Sequence, residues 1–421
     1  MKRKSLFDFI IAFGIALLFS LLHLTSFYEK SENRLYDILL KIKPPIQENR
    51  NILLLNIDDL AIAKVGLYPW SREILADGLI TMKEFSAGYA VFDIEFVEES
   101  PMAVNSTVLK DEIPELFGQE FVKINENVSA LFSAISAGSI SIRDAKDYIA
   151  DLQGLTEQSK NAMLGKVETI AKNNDIYLGQ AARFFGNAFF TVNMLPQEDP
   201  DVSQNTKDYA LENENLKNVS SLGDTLEVAI DIRPAILPIL SQAKGAGFPN
   251  IIVDEDGVRR RLEILYKFKG KYFPQLAFSA LLDWMGNPSI EARKDRIILT
   301  GATLPDGTKT DINIPLTEKG KLLINWPKKN FEESFAPHLS YYYLVLYKRQ
   351  VDALLGNLKI MEQAGYLTYD KSDVPIMDAY RYAEEVKQDV LSGGSLDKIE
   401  EYRNVRELFF TGSAKFLSED T

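Results

Sequence analysis

The chain has 421 residues, enough for one large domain or two ordinary ones with a substantial core. Its formal net charge of -13 argues against binding nucleic acid through the phosphates. It has no cysteine and two histidines, which excludes disulfide scaffolds and thiolate zinc sites and makes a histidine metal cluster or a Ser-His-Asp triad hard to assemble.

The N-terminus carries the pattern of a membrane anchor. Lys2, Arg3 and Lys4 precede an apolar run from Phe9 to about Tyr28, roughly 20 residues that can cross a bilayer as one helix. The basic cluster places the short N-terminal side in the cytoplasm. We therefore predict a cytoplasmic tail (1–5), a transmembrane signal anchor (6–28) in the inner membrane and an extracytoplasmic domain (29–421). A cleaved signal peptide and a buried soluble helix are the alternatives; the bulky residues after the run do not form a small-x-small cleavage pattern.

A β-loop-α-β unit follows a helical stretch at residues 31–42. Ile52–Ile57 is a nearly continuous apolar run, typical of a strand covered on both faces. Ser71 is a candidate N-cap for a helix that Gly88 ends. Tyr89–Phe96 is predicted to be the next strand. Ligands of open α/β sheets bind at the carboxyl edge of the strands, where this unit carries acidic residues.

Three aspartates are the first candidate site residues. Asp58 and Asp59 follow the first strand and Asp93 lies in the second, so they are predicted to converge at the carboxyl edge of neighbouring parallel strands. Carboxylate oxygens there suit a polar ligand or a hard cation such as calcium or magnesium. The alternative is that Asp58 and Asp59 accept hydrogen bonds from loop backbone N–H groups, as aspartate commonly does in turns.

The loop between strand and helix supplies three more candidates. Tyr68 and Trp70 are placed to stack on a ligand, or else to pack over the edge of the sheet. Arg72 is suited to hold an anionic ligand, or else to pair with Asp58 or Asp93. The six candidate ligand-binding residues are therefore Asp58, Asp59, Tyr68, Trp70, Arg72 and Asp93; no catalytic residue, metal ligand or cofactor is predicted.

Two helical insertions interrupt the predicted sheet. They cover about 97–175 and 351–404, where the patterns are helical and charged. Between them, strands are predicted at 188–192, 296–300 and 321–326, a surface loop at 196–222, and a hairpin whose turn is Asp254–Gly257. The fold class is thus α/β, with a mixed, largely parallel sheet, flanking helices, two helical insertions and one N-terminal transmembrane helix.

Nine groups of residues together form a recognisable pattern along the chain. They are Glu32 and Asp37, Ile57–Asp59, Gly66–Arg72, Phe92–Ile94 with Phe96, Gly247–Asn250, Asp254 to Arg260, Ile314 to Phe335, Ser340–Tyr342, and Glu407–Ala414. This pattern resembles the type-2 CHASE domain, a family of extracellular sensory domains of bacterial cyclases, histidine kinases and related receptors. The resemblance implies the sensor part of a receptor and implies no particular ligand. It also implies a closing strand at 407–414 and a loop at 420–421.

These observations lead to one preferred function and two alternatives. The preferred one is an extracytoplasmic sensing domain that binds an unknown small ligand or partner, acts as a homodimer and controls a cytoplasmic output, a cyclase or kinase outside this sequence. The chain ends inside a predicted sheet loop, which favours a fragment of a longer receptor over a singly anchored module. The alternatives are an envelope scaffolding protein that binds through the insertions, and a metal-dependent periplasmic hydrolase using the three aspartates.

Overall fold

Helices and short strands alternate along the chain in the computed structural model, which describes residues 2–23, 26–104, 108–168, 170–223, 225–317, 320–335 and 337–418. The helices are α1 (Lys2–His23), α2 (Ser26–Ile42), α3 (Asp59–Val65), α4 (Arg72–Glu84), α5 (Ile113–Ser136), α6 (Ala145–Glu168), α7 (Asn174–Phe185), α8 (Gln204–Asn213), α9 (Leu237–Leu240), α10 (Leu276–Trp284), α11 (Tyr342–Gln363), α12 (Ile376–Leu391) and α13 (Lys398–Ser418). The strands are β1 (Leu55–Asn56), β2 (Ala90–Val91), β3 (Ala103–Val104), β4 (Ala171–Lys172), β5 (Ala188–Leu195), β6 (Val219–Leu222), β7 (Asp231–Pro234), β8 (Gly245–Gly247), β9 (Arg261–Leu262), β10 (Leu265–Phe268), β11 (Lys271–Pro274), β12 (Ser289–Arg293), β13 (Arg296–Thr303), β14 (Lys309–Pro315), β15 (Leu322–Leu323) and β16 (Leu339–Ser340).

The strands form several small sheets instead of one. In the first, β5 pairs in parallel with β2 and β8 and antiparallel with β7. The second has the order β14-β13-β12-β6, and only its β12–β6 pairing is parallel. The prediction of a mixed α/β fold is confirmed, but the prediction of one largely parallel sheet is wrong. Consecutive strands joined by short turns, as in β12-β13-β14 and β10-β11, pair antiparallel.

The main core lies where α4 and α7 pack on β5. Strand β5 is fully buried over its first five residues, which explains its continuous apolar sequence. Phe190, at its centre, has no exposed surface and stacks on Phe92 with ring centroids 4.9 Å apart. Helix α7 ends before its C-cap, Gly186, because glycine adopts the positive φ of 96° without a Cβ penalty.

The closest helix packing in this core is at Gly78 of α4. The Tyr341 hydroxyl donates to the carbonyl of Ile74 at 3.1 Å, which brings the phenol ring against the helix backbone. A Cβ at Gly78 would overlap Tyr341 Oη and lie 2.7 Å from Cζ. Only a residue without a side chain therefore fits between α4 and Tyr341.

Replacing Gly78 with alanine is expected to lower the free energy of unfolding by about 1–3 kcal/mol, the usual cost of overpacking a core. Gly118 of α5 is the matched control, because a Cβ there meets nothing within 4 Å. Gly118→Ala should instead stabilise by roughly 0.5–1 kcal/mol through helix propensity. Urea unfolding of both variants tests this, and a gain at both positions would contradict the packing described here.

The two predicted insertions, at about 97–175 and 351–404, are largely helical in the structure, as predicted. Helices α5 and α6 form a hairpin whose base is the antiparallel β3–β4 pair. Residues 351–404 hold most of α11, all of α12 and the start of α13. The segment 196–222, predicted to be a surface loop, contains α8 and β6, so that prediction is wrong.

The predicted closing strand at 407–414 is also wrong, because α13 runs through it. The side chains that α13 buries lie about one or two helical turns apart, and this period places them on one face against α12. These buried residues are Tyr402, Arg406, Phe409, Gly412 and Ser413. The loop predicted at 420–421 lies outside the described residues.

The predicted membrane segment 6–28 coincides with α1 and the start of α2. Residues 24 and 25 of this segment lie outside the described residues. Among the residues that are described, no helix combines the length and the apolar character needed to cross a membrane. The predicted anchor is therefore not confirmed and stays a prediction.

Candidate functional site

Asp58 has a structural position at the end of β1. It is the N-cap of α3, and its Oδ1 accepts hydrogen bonds from the Ala61 N–H at 2.8 Å and from the Ser340 hydroxyl at 2.6 Å. The hydrogen bond from Ser340 is the main cause that lowers the pKa of Asp58. Because Ser340 lies on β16, the parallel partner of β1, one carboxylate joins a helix cap to a strand pair. The turn interpretation of Asp58 is confirmed.

The three candidate aspartates do not share one sheet edge. Strand β1 pairs with β16, whereas β2 pairs with β5, so Asp58 and Asp93 do not follow neighbouring strands. Asp59 and Asp93 are both exposed. In the described part of the chain, no group of three or more His, Cys, Asp or Glu side chains is arranged to hold a metal ion. A ligand-binding role for these residues stays a prediction.

Trp70 packs into the core, as the alternative interpretation predicts. Its side chain is 8% exposed, and its ring lies 5.6 Å from Tyr341 and 5.8 Å from Tyr68, centroid to centroid. The indole N–H donates to the carbonyl of Gly66 at 2.7 Å, so the polar atom is satisfied inside the loop. Tyr68 keeps 42% of its surface exposed and covers the edge of this aromatic group.

Arg72 pairs with a carboxylate that the sequence analysis does not single out. Its Nη1 lies 2.5 Å from Asp175 Oδ1, and its Nη2 donates to the carbonyl of Glu98. Asp175 also accepts from the Ser100 backbone N–H at 2.9 Å. The predicted pairing with Asp58 or Asp93 is therefore wrong. Arg72 instead joins the start of α4 to the start of α7 and to the chain entering the α5–α6 hairpin.

A cluster of charged side chains fixes α2 to the rest of the molecule, and we call it the α2 clamp. Arg260 is 2% exposed and contacts the carboxylates of Asp37, Asp254 and Asp256 at 2.7, 3.0 and 2.8 Å. The hydrogen bonds from Arg260 lower the pKa of Asp37, and they lower the pKa of Asp256 to about 2. The other contacts of the clamp are Arg261 with Asn33 and Asp254, Tyr36 with the Ile324 carbonyl, and Lys43 with Asn325 and the Trp326 carbonyl.

The turn that carries the clamp is the one predicted from the sequence. Gly257 donates its N–H to the Asp254 carbonyl at 2.9 Å, and the Asp254 N–H donates to the Val258 carbonyl at 2.9 Å. The hairpin partner differs from the prediction, because residues 251–253 form no strand and β10 pairs with β11. The turn therefore presents two aspartates to Arg260 instead of connecting two strands.

A polar cavity of about 190 Å³ lies among α4, α7, α11, α12 and α13. Asp77 of α4 lines it and accepts a hydrogen bond from the Tyr177 hydroxyl at 2.7 Å. Glu84 lines the same cavity, pairs with Arg406 at 3.2 Å and accepts from the Tyr402 hydroxyl. Tyr347 and Tyr380 complete the aromatic part of the wall.

Burial raises the pKa of Asp77, and the hydrogen bond from Tyr177 opposes this rise. The pKa of this carboxyl is thus higher in the folded protein than in the unfolded protein, where it has its ordinary value of 3.8. The folded state therefore loses stability as the pH rises from the pKa of the unfolded state to that of the folded state. We therefore expect Asp77→Asn, which keeps an acceptor for Tyr177, to stabilise the fold at pH values above this interval and to leave its stability unchanged below it. Thermal unfolding at about pH 3 and about pH 8 measures the difference.

Asp151→Asn on the exposed face of α6 is the control for this pH dependence. It should leave the midpoint temperature equal to that of the wild type at both pH values. A gain for Asp77→Asn that is the same in acid and in base would show that removal of the charge is not the cause.

The cavity is not predicted from the sequence, although part of its signal is visible in α4. Glu73, Asp77 and Glu84 are spaced by four and seven residues, so they lie on one face of the helix. That face borders the buried side of the same helix, where three carboxylates are rarely found together. The opposite wall comes from α11 to α13, more than 260 residues further along the chain, and no local pattern predicts that contact.

The sequence profile of the CHASE2 domain matches residues 12–360. The match contains the α2 clamp, α4, α7 and most of α11, and it ends before α12 and α13. Comparison with curated proteins and comparison with solved structures each return no match to the chain. Because the profile covers far more than half of the 421 residues, the chain belongs to the CHASE2 family of extracellular sensory domains.

Proposed function

We propose that this chain is the extracytoplasmic sensing domain of a membrane receptor that controls a cytoplasmic output of the cyclase or kinase type. The α2 clamp is the observation that carries the proposal. The predicted anchor at 6–28 overlaps the start of α2, and the buried guanidinium of Arg260 ties α2 to the loop at 254–256 by ion pairs. A movement of the domain on ligand binding is thereby transmitted to the helix nearest the membrane. A ligand can drive this movement only if its affinity differs between the two conformational states of the domain.

The exposed face of α2 supports a homodimer. Leu35, Ile38, Leu39 and Ile42 are 56%, 52%, 55% and 72% exposed, and their spacing of three and four residues makes one apolar stripe. The clamp holds the opposite face of α2 through Asn33, Tyr36 and Asp37, so the stripe points away from the domain. A second copy of the same helix matches this stripe, because the two would pair along a common apolar seam as in a coiled coil.

The absence of cysteine from the sequence makes the location easy to test. Ser139→Cys introduces a thiol at the exposed tip of the α5–α6 hairpin, and Lys4→Cys introduces one in the predicted cytoplasmic tail. In intact spheroplasts, a membrane-impermeant maleimide should label Ser139→Cys at once and Lys4→Cys only after permeabilisation. Labelling of Ser139→Cys that requires permeabilisation would overturn the extracytoplasmic location. The intact mass of the native polypeptide, compared with the 47.5 kDa of this chain, tests for the output domain.

The same chemistry tests the dimer. Ile38→Cys on the α2 stripe should give a disulfide-linked dimer on mild oxidation in membranes, whereas Ser139→Cys should remain a monomer on the same gel. Equal cross-linking of the two variants would indicate random collision, and no cross-linking of Ile38→Cys would contradict pairing through α2.

A further inference from the structure

The carboxylates that line the polar cavity are all in ion pairs except Asp77. Four of its five carboxylates form an ion pair. Asp77 forms none among the described residues, and Lys348 and Lys172 act on its charge only from beyond ion-pair distance. Its Oδ1 accepts from Tyr177, a neutral donor. The four ion pairs are Glu73 with Lys172 at 2.7 Å, Glu84 with Arg406 at 3.2 Å, Asp352 with Lys348 at 2.7 Å and Glu384 with Lys387 at 2.5 Å.

Arg406 lines the same cavity and has one unsatisfied donor atom. The residue is 8% exposed, and its Nε donates to Glu84. Its Nη1 is buried and has no hydrogen-bond partner among the described residues. Leaving a buried charged donor unpaired is costly, so an acceptor atom placed here would be strongly favoured.

The remaining walls suit an organic cation of small size. The rings of Tyr177, Tyr347 and Tyr380 line the cavity, and the faces of aromatic rings attract ammonium groups. The volume of about 190 Å³ equals roughly six water molecules at ~30 Å³ each, so a ligand of about the size of an amino acid fits.

We propose that this cavity binds a small protonated primary amine that also carries an oxygen acceptor. The ammonium group pairs with Asp77 between the tyrosine rings, and the acceptor oxygen receives the hydrogen bond from Arg406 Nη1. The proposal deepens the proposed sensing function, because it gives the receptor a class of ligand. Binding would join α4 and α7, which lie inside the CHASE2 match, to α12 and α13, which lie outside it.

Three probes test this proposal: 4-aminobutanoate, glycine and ethanolamine. Their binding is measured by calorimetry and thermal shift at concentrations up to about 10 mM, which exceeds the ~1 mM dissociation constant of a weak ligand. We expect at least one probe to bind the wild type and to raise its midpoint temperature. Butanoate lacks the amine and 1-aminobutane lacks the acceptor, so each should bind at least about tenfold more weakly than 4-aminobutanoate if that probe binds.

Asp77→Asn should weaken the best probe by about tenfold or more, whereas Asp151→Asn should bind it as the wild type does. Loss of binding through misfolding is checked by the same thermal scans, because Asp77→Asn is expected to be at least as stable as the wild type. The proposal is overturned if none of the three probes binds, or if Asp77→Asn binds the best probe unchanged. If the ligand test fails in this way but Ser139→Cys is labelled in intact spheroplasts, the proposed class of ligand is refuted and the proposed receptor function is not.

Discussion

Replacing Phe190 with alanine is expected to lower the free energy of unfolding by about 3–5 kcal/mol. Phe190 is fully buried at the centre of β5, where its ring stacks on Phe92 at 4.9 Å and meets the edge of Phe96 at 5.7 Å. Truncation removes the transfer free energy of the ring and leaves a cavity between α4, α7 and the sheet. Urea unfolding followed by circular dichroism measures the change.

Phe132 of α5 provides the matched control, since its ring is 66% exposed. Phe132→Ala should change the free energy of unfolding by no more than about 0.5 kcal/mol, as is usual at the surface. Equal losses for the two variants would mean that Phe132 is covered in solution by a contact absent from the structure, or that β5 is not the centre of the core.

Replacing Arg260 with methionine is expected to destabilise the protein by about 3 kcal/mol, the lower end of the cost of breaking a buried ion pair. Methionine roughly fills the volume, but it leaves Asp37, Asp254 and Asp256 without their shared cation. The cost stays at the lower end because Asp37 and Asp256 are 36% and 52% exposed and Asp254 keeps its contact with Arg261.

The variant should also release α2, which limited proteolysis can detect. Trypsin is expected to cleave after Arg34 and Lys41 faster in Arg260→Met than in the wild type, because cleavage requires the helix to leave the clamp. Arg259→Met removes the exposed neighbouring arginine and should alter neither stability nor cleavage rate. Unchanged cleavage in Arg260→Met would show that Arg260 does not hold α2.

Local patterns in the sequence predict the start of α4 but not its end. Ser71 caps the helix by accepting a hydrogen bond from the Glu73 N–H, as predicted, whereas α4 ends at Glu84 and not at the predicted Gly88. The cap spans a few residues, so its signal lies in a short window of sequence. The segment around Phe409 also has a helical pattern in its sequence. The strand at 407–414 was predicted instead because the family resemblance implied it.

Partners distant in the chain could not be predicted from local pattern. β1 pairs with β16, whose Leu339 lies opposite Leu55, and Arg72 pairs with Asp175, 103 residues away. The predicted partners, Asp58 and Asp93, were nearer in sequence, but sheet register and packing place them elsewhere. Asp77 was missed for the same reason, because its cavity exists only when α4 meets α11, α12 and α13.

The hairpin of α5 and α6 has a consequence for how the molecule unfolds. Helix α5, every residue of which is described, has no buried side chain. The hairpin is attached at its base, near the two-residue β3–β4 pair, where Lys172 pairs with Glu73 at 2.7 Å and the Ser100 N–H donates to Asp175 at 2.9 Å. Two helices with this little shared core open at a lower free energy than the region around β5. We therefore expect the hairpin to open separately from this region, so its amide hydrogens should exchange with solvent before those of β5 do.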